Sequence, residues 1–464
     1  MKIYLESFGC SASQAAAETM AGIIRAMGHE SVSAEEAEVY ICNTCTVKYT
    51  TEQKILYQIR RFGELGKKVI VTGCMPEVQL DLILHANPEA MIIGVNAVPK
   101  IRDALLSIEA AEKRREGTES GAGKEKKTED ESGRSEKQLR LFSDRPEGFL
   151  NMPRVRYNEN IHICQISTGC QFACSYCIVH LARGRLVSFP PEEIVRDIRT
   201  AVEEGCREIW ITSQDDSQYG LDFRNGSPYE GLRLPGLLNM ITEIPGDFRV
   251  RVGMMNPFSV MPILDDLIGS FRSPKIYKLL HLPIQSASER VLETMNRRHK
   301  MSDTAMIIER FREAFPDMNL FTDIIVGFCG ETDEDFEMTM EWVRHFRPDK
   351  VNISRYSPRP GTKAFALRNL DSRILAERSK RLTALTSEIK LDSKKKMIGK
   401  TVQVFVSKYA RQSGVMTRTE DYKPVVVNGT DLKPGETALI RITEATPGYF
   451  IGVPADEKQT EQTE

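Results

Sequence analysis

The chain has 464 residues, with 63 Lys and Arg against 65 Asp and Glu, for a formal net charge of −2. That balance excludes nucleic-acid binding by the field of the whole molecule and leaves only local basic patches to do it. No apolar run reaches the length of a membrane span, and Glu6 and Gly9 interrupt the start MKIYLESFGC, so a cytoplasmic chain with no membrane segment and no signal peptide is expected. At this length two or three domains are expected. Its ten cysteines are then metal ligands or free thiols before they are disulfides.

The first hundred residues alternate strand and helix patterns. Lys2–Ser7, Val39–Asn43 and Val69–Thr72 read as buried strands, and Ser13–Met27 has helical spacing with Ser13 as its expected N-cap. Such order predicts a Rossmann-like parallel sheet over 1–108, which collects ligands at the carboxyl ends of its strands. Residues 109–150 are charge-mixed and rich in Gly and Ser at their centre, and read as a disordered linker.

Alternation resumes over 151–370. Strands are expected at His162–Ser167, Glu208–Ser213, Val250–Met254, Tyr277–Leu282, Thr322–Gly327 and Lys350–Arg355, with helical patterns after most of them. Six β/α units are too few for a closed eight-stranded barrel, so a partial (β/α)6 barrel is expected. A basic helical connector follows at 371–397. Five short strands over 398–454 then suggest a small OB-like β-barrel of the kind often used on RNA. Residues 455–464 form a polar tail.

Two cysteine sets stand out. Cys170, Cys174 and Cys177 lie in GCQFACSYC, a spacing that puts three thiolates on one short loop. Three thiolates leave one iron of a 4Fe–4S cube open, whereas structural zinc takes four closed ligands and disulfides pair evenly. Cys10, Cys45 and Cys74 each follow one of the first three strands, so they are expected to meet at one sheet edge. A three-ligand metal site and three buried small hydrophobes are the two readings of that meeting. Cys42, Cys164 and Cys206 read as packing residues, and so does Cys329, although it could face a cavity at its strand end.

With Tyr176 just before its third cysteine, the triplet resembles the signature of radical S-adenosylmethionine (SAM) enzymes. The words ESFGCSASQ, ICNTCTVK, VTGCMPE, GCQFACSYCIVHLARGRL, HLPIQSASERVLETMNRRH, TDIIVGFCGETDEDF and YSPRPGTKA resemble the methylthiotransferase family within them. The likeness covers almost the whole chain and ends in a barrel resembling the TRAM domain. It implies two 4Fe–4S clusters, one on Cys170, Cys174 and Cys177 that cleaves SAM, and an auxiliary one on Cys10, Cys45 and Cys74 that carries or donates sulfur. It further implies two SAM molecules per turnover, one as methyl donor and one as radical source, with tRNA, an electron donor such as ferredoxin or flavodoxin, and a sulfur source as partners. Adenine C–H is too weak an acid for a side-chain base, and no Ser/His/Asp arrangement appears, so clusters and SAM carry the chemistry.

Tyr176, Gln214, Asp215, Arg251 and Gln285 are expected near SAM or substrate, with ordinary loop solvation as the competing reading. Lys394, Lys395, Lys396, Lys408, Arg411, Arg418, Tyr422 and Lys423 are expected RNA contacts, against the reading of a solvated basic surface. LESFGCSASQ, WITSQDDSQYG and VRVGMMNP most resemble the archaeal and eukaryotic group acting on tRNA N6-threonylcarbamoyladenosine. Asp216 departs from that group, which more often has a small hydroxyl residue there. Isopentenyladenosine in tRNA and an aspartate of a ribosomal protein are the alternative substrates. A non-catalytic iron–sulfur RNA-binding redox sensor is the alternative of another class, and it would release no 5′-deoxyadenosine.

Overall fold

The computed structural model describes residues 1–119, 139–147, 150–224, 226–410, 413–446 and 448–455. Arg411, most of the expected linker (120–138) and nearly all of the tail (456–464) lie outside the described residues. The chain divides into two compact units, Met1–Tyr157 with Ile178–Gly184, and Asn158–Cys177 with Arg185–Glu464.

In the first unit the elements run β1 (Lys2–Ser7), α1 (Ser11–Ala26), β2 (Glu30–Ser31), β3 (Val39–Thr44), α2 (Tyr49–Glu64), β4 (Lys68–Gly73), α3 (Met75–Val78), α4 (Leu80–Ala86), β5 (Met91–Ile93), α5 (Ile101–Glu119) and β6 (Arg140–Leu141). Among the described residues they form a parallel sheet ordered β2-β1-β3-β4-β5-β6. Period-two alternation divides the apolar side chains between its faces. Val39 and Ile41 pack with α1 and α5, while Tyr40 and Cys42 pack with α2 and α4. Two expectations are corrected here. Residues 109–119 continue α5, and Arg140–Leu141 adds a strand on β5, so the unit runs well beyond residue 108 and the linker is shorter than its composition suggests. Cys10, not Ser13, is the N-cap of α1, because the helix starts a turn earlier and buries Ser13.

The segment Ile178–Arg183 (α6) also belongs to this unit and packs on α3. In the second unit come β7 (Ile161–Gln165), β8 (Ser167–Thr168), β9 (Val187–Ser188), α7 (Pro191–Glu203), β10 (Glu208–Thr212), α8 (Leu234–Thr242), β11 (Arg249–Arg251), α9 (Pro257–Val260), α10 (Leu264–Phe271), β12 (Leu279–His281), α11 (Glu289–Thr294), α12 (Met301–Ala314), β13 (Asn319–Val326), α13 (Asp333–Phe346) and β14 (Lys350–Arg355). Two parallel three-stranded sheets, β7-β10-β11 and β12-β13-β14, are linked by single bridges between Val250 and Ile276 and between Met254 and His281. This is the open six-strand arrangement that the alternation predicts. Helix α12 escaped that reading.

Helix α14 (Ser372–Lys395) leads into β15 (Thr401–Tyr409), β16 (Val415–Thr419), β17 (Pro424–Val427), β18 (Thr437–Ala445) and β19 (Phe450–Pro454). These close a barrel over Val404, Val406, Val415, Val425, Ile440, Ile442 and Phe450. Among the described residues no helix is long and apolar enough to cross a membrane.

Candidate metal centres

The loops after β1, β3 and β4, three neighbouring strands, carry Cys10, Cys45 and Cys74. Backbone geometry forces them together. Gly9 sits at φ +123°, and a Cβ there would lie 3.2 Å from the Cys45 Cβ and 2.7 Å from Ser13 Oγ, so only glycine lets the first loop approach the second. The Cys74 N–H donates to the Thr44 carbonyl at 3.2 Å, and the Met75 N–H to Thr44 Oγ1 at 3.1 Å. Asn43 donates through Nδ2 to the Ser13 carbonyl at 2.7 Å, tying α1 to β3. Thr46, Gln79 and Glu52 form a further buried chain of hydrogen bonds under the Cys45 loop. Burial pushes the Cys45 thiol up, with the neighbouring Cys74 and Cys10 adding to the shift. Cys42 points instead into the core beside α2, and burial pushes its thiol up to about 12. It is a packing residue, as strand alternation requires.

The second trio lies on the loop between β8 and α6. The Ser175 N–H donates to the Met295 carbonyl at 2.9 Å and Ser175 Oγ to that of Thr294 at 2.8 Å. Asn296 Nδ2 holds the Ala173 carbonyl at 2.7 Å, so the end of α11 shapes the loop from one side. From the other side Gln218 Nε2 donates to Cys170 Sγ at 3.1 Å while its Oε1 accepts from the Gln171 N–H at 2.8 Å. Burial pushes the Cys170 thiol up to about 11, although the N–H of Phe172 and the Gln218 amide both favour the thiolate. Arg297 donates to Cys174 and also faces Tyr176. Gln218 and Arg297 were both missed in the sequence, where a glutamine in a loop and an arginine in NRRH carry no signal of their own.

The expected SAM contacts have partners within the protein. The Asp215 carboxylate is buried and filled: Oδ1 accepts from the Ser217 N–H, Ser217 Oγ and the Asn256 N–H, and Oδ2 from Gln218 Nε2 at 2.7 Å and Ser259 Oγ at 2.9 Å. It therefore orients Gln218 towards Cys170 and has no free oxygen for a ligand. Gln214 Oε1 accepts from the Gly169 N–H at 2.7 Å, which anchors the start of the cysteine loop. Arg251 packs over the rings of Trp210 at 5.2 Å and Tyr422 at 5.6 Å. Tyr176 packs edge-on to Phe328 beside Cys329, which is buried against the same group. Gln285 holds φ +69°, a strained value for a side-chain-bearing residue, just past the end of β12.

Asp216 is wholly buried, accepting from Ser213 Oγ at 2.5 Å and the Gly253 N–H at 2.7 Å. Burial pushes its carboxyl up to about 6 from 3.8. The folded chain thus keeps this proton longer than the unfolded chain, and stability falls as pH rises from about 4 to about 6, then levels off. Asp216→Asn should remove that dependence. Its thermal midpoint relative to the unaltered chain should climb over this range and stay flat above it.

The expected RNA contacts also divide. Lys395, Lys396 and Lys408 are exposed. Tyr422, at φ +68°, is 5% exposed and packs on Tyr277 at 4.9 Å, with Arg418 over its ring at 4.6 Å, so it cannot stack on a base. Lys423 is paired with Asp421 and donates to the Asp317 carbonyl at 3.0 Å. Lys394 lies over Phe450 at 5.1 Å, and burial lowers its pKa to about 8. Tyr409, 65% exposed next to Lys408, was missed. A register shift between Val406 and Lys408 carries the strand end outward, which alternation alone does not reveal.

The residues present fit an iron–sulfur cluster: each trio offers three sulfurs from short loops, and Gln218 Nε2 and the Phe172 N–H both donate to Cys170 Sγ.

Comparison with known proteins agrees. Residues 164–343 match the Radical SAM superfamily, 2–94 the Uncharacterized protein family UPF0004, and 395–454 the TRAM domain. A solved radical SAM methyltransferase, TsrM from Kitasatospora setae, has a similar fold at TM-score 0.52 and 14% identity, covering 78% of this chain and 77% of its own. Together these define a radical SAM enzyme with a C-terminal TRAM barrel. A probable threonylcarbamoyladenosine tRNA methylthiotransferase of Pyrococcus abyssi is 39% identical over 97% of this chain and 99% of its own. The threonylcarbamoyladenosine tRNA methylthiotransferase of Danio rerio is 33% identical over 98% of this chain and 79% of its own. The chain belongs to the threonylcarbamoyladenosine tRNA methylthiotransferase family.

Proposed function

We propose that this enzyme adds a methylthio group to C2 of N6-threonylcarbamoyladenosine in tRNA. The observation that carries the reading is the pair of cysteine trios, in a chain that matches named relatives almost end to end. Cys170, Cys174 and Cys177 would hold the cluster that binds SAM, and Cys10, Cys45 and Cys74 the auxiliary cluster. When bound, these groups supply a strongly oxidising organic radical and a sulfur atom, neither of which a side chain can provide.

The protein's own part is placement. Asp215 fixes Gln218, and Gln218 fixes Cys170 and the following N–H. Arg297 compensates charge at Cys174.

The tRNA is expected on the exposed face of the small barrel through Lys395, Lys396, Lys408 and Tyr409. Tyr409→Ala should weaken tRNA binding roughly 5- to 150-fold, since one base stacked on an aromatic ring contributes ~1–3 kcal/mol. Fluorescence anisotropy with labelled tRNA checks this, and Tyr422→Ala should instead lower thermal stability. The function itself is tested by anaerobic reconstitution with iron, sulfide, SAM and a reductant, then mass spectrometry of digested tRNA. Methylthio mass on the threonylcarbamoyl base is expected. Its absence there, with the mass found on isopentenyladenosine or on a ribosomal-protein peptide, overturns the substrate assignment.

A further inference from the structure

We propose that Lys350 and His281, on the inner face of the partial barrel, are the specificity site for the threonylcarbamoyl side chain, Lys350 taking its carboxylate and His281 its ureido or hydroxyl group. The proposal rests on the reading that threonylcarbamoyladenosine is the substrate. Burial alternates along β13: Leu320, Thr322, Ile324 and Val326 are buried, whereas Phe321, Asp323 and Ile325 are half-buried. Helices cover the outer face of a β/α barrel, so the half-buried three line its inner face. Register carries that face to the neighbouring strands, where His281 pairs with Phe321, Phe321 with Lys350, and Asp323 with Asn352. Phe321 thus separates two polar side chains at one level of the barrel. His281 meets its ring edge-on at 5.9 Å, and the Lys350 ammonium lies over it at 5.1 Å.

His281 is held in place by Asp323, with Nε2 3.2 Å from Oδ2, while Asn352 Nδ2 donates to the other carboxylate oxygen at 2.5 Å. Asp323 is therefore engaged on both oxygens and acts as a positioning residue. With Nε2 committed to it, Nδ1 is the ring atom left for a ligand. The side chains of His281 and Asp323 are 12% and 25% exposed, and Lys350 and Asn352 are exposed, so the group is open to a ligand. Burial lowers the Lys350 pKa, and Arg251, Lys390 and Arg418 add to the fall against the opposing Asp323. Positive charge in excess around one engaged carboxylate favours an anion. The substituent of threonylcarbamoyladenosine carries a carboxylate, a ureido group and a hydroxyl. An isopentenyl group is apolar and would leave both the ammonium and the imidazole without partners.

The test uses the anaerobically loaded full chain with SAM and no reductant, so that binding is measured without turnover. Fluorescence anisotropy compares labelled anticodon stem-loops carrying threonylcarbamoyladenosine, its carboxamide analogue or isopentenyladenosine. The unaltered chain should bind the first about tenfold or more tighter than the second, because only the carboxylate pairs with an ammonium. Lys350→Met and Lys350→Gln should each bring that ratio close to one, and Lys350→Arg should keep most of it. A ratio taken within one preparation is insensitive to any misfolded fraction. His281→Phe should weaken both threonyl loops alike, since they share the ureido and hydroxyl groups. An unaltered chain that does not distinguish carboxylate from carboxamide overturns the proposal, as do Met and Gln chains that keep the full preference. Binding of both loops unchanged by His281→Phe removes His281 from the site. Tightest binding of the isopentenyl loop by the unaltered chain overturns the substrate reading itself, and the site with it.

Discussion

Changing Cys10, Cys45 and Cys74 together to alanine should leave 5′-deoxyadenosine release running while methylthio product drops to background. The division of the chain motivates this separation. The first trio belongs to Met1–Tyr157, whereas Cys170, Cys174 and Cys177 sit on a loop held by α11 and Gln218 in the other unit. The converse substitution, Cys170, Cys174 and Cys177 to alanine, should abolish both 5′-deoxyadenosine and product. Chromatography of the nucleoside products after reduction checks both. Persistence of methylthio product without the first trio would contradict the auxiliary role, and a redox sensor would release no 5′-deoxyadenosine in either case.

The largest loss of stability is expected from Arg378→Met on α14. Arg378 is 3% exposed and Glu331 2%, and they pair at 2.6 Å. Arg378 Nη1 also donates to the Glu331 carbonyl at 3.2 Å, and Nη2 reaches Asp333 at 2.7 Å. Methionine fills most of the space but leaves the Glu331 carboxylate buried with one N–H donor, that of Gly327. Removing one partner of a buried pair costs about 3–5 kcal/mol, because the remaining charge is stranded. Thermal unfolding near neutral pH should show a fall of many degrees. Adding Glu331→Gln to Arg378→Met should recover part of it, since the stranded charge is then gone. A double variant no better than the single one would mean that lost packing over Phe336, not charge, sets the cost.

What could be read from the sequence follows the range of each interaction. Strand alternation and loop position are local, and they place Cys10, Cys45 and Cys74 at one sheet edge and Cys42 in the core. Burial of a loop residue is not local. Tyr422 looks like a stacking residue beside Lys423, yet a left-handed turn tucks it under Arg251 and Arg418. Asp215 looks like an open carboxylate at a strand end, but five donors from two segments converge on it. The linker misled for a different reason. Its mixed charges hide that the start continues the pattern of α5 and that Arg140–Leu141 covers the edge of β5. Gln218 gave no signal at all, because only the folded chain brings it to the Cys170 sulfur.

The most direct test of the account is the iron and acid-labile sulfide content of anaerobically loaded chain before and after Cys10, Cys45 and Cys74 become alanine. Two clusters predict about eight irons falling to about four, with the remaining four lost only when Cys170, Cys174 and Cys177 are also changed. Four irons at the outset that survive removal of the first trio would contradict it.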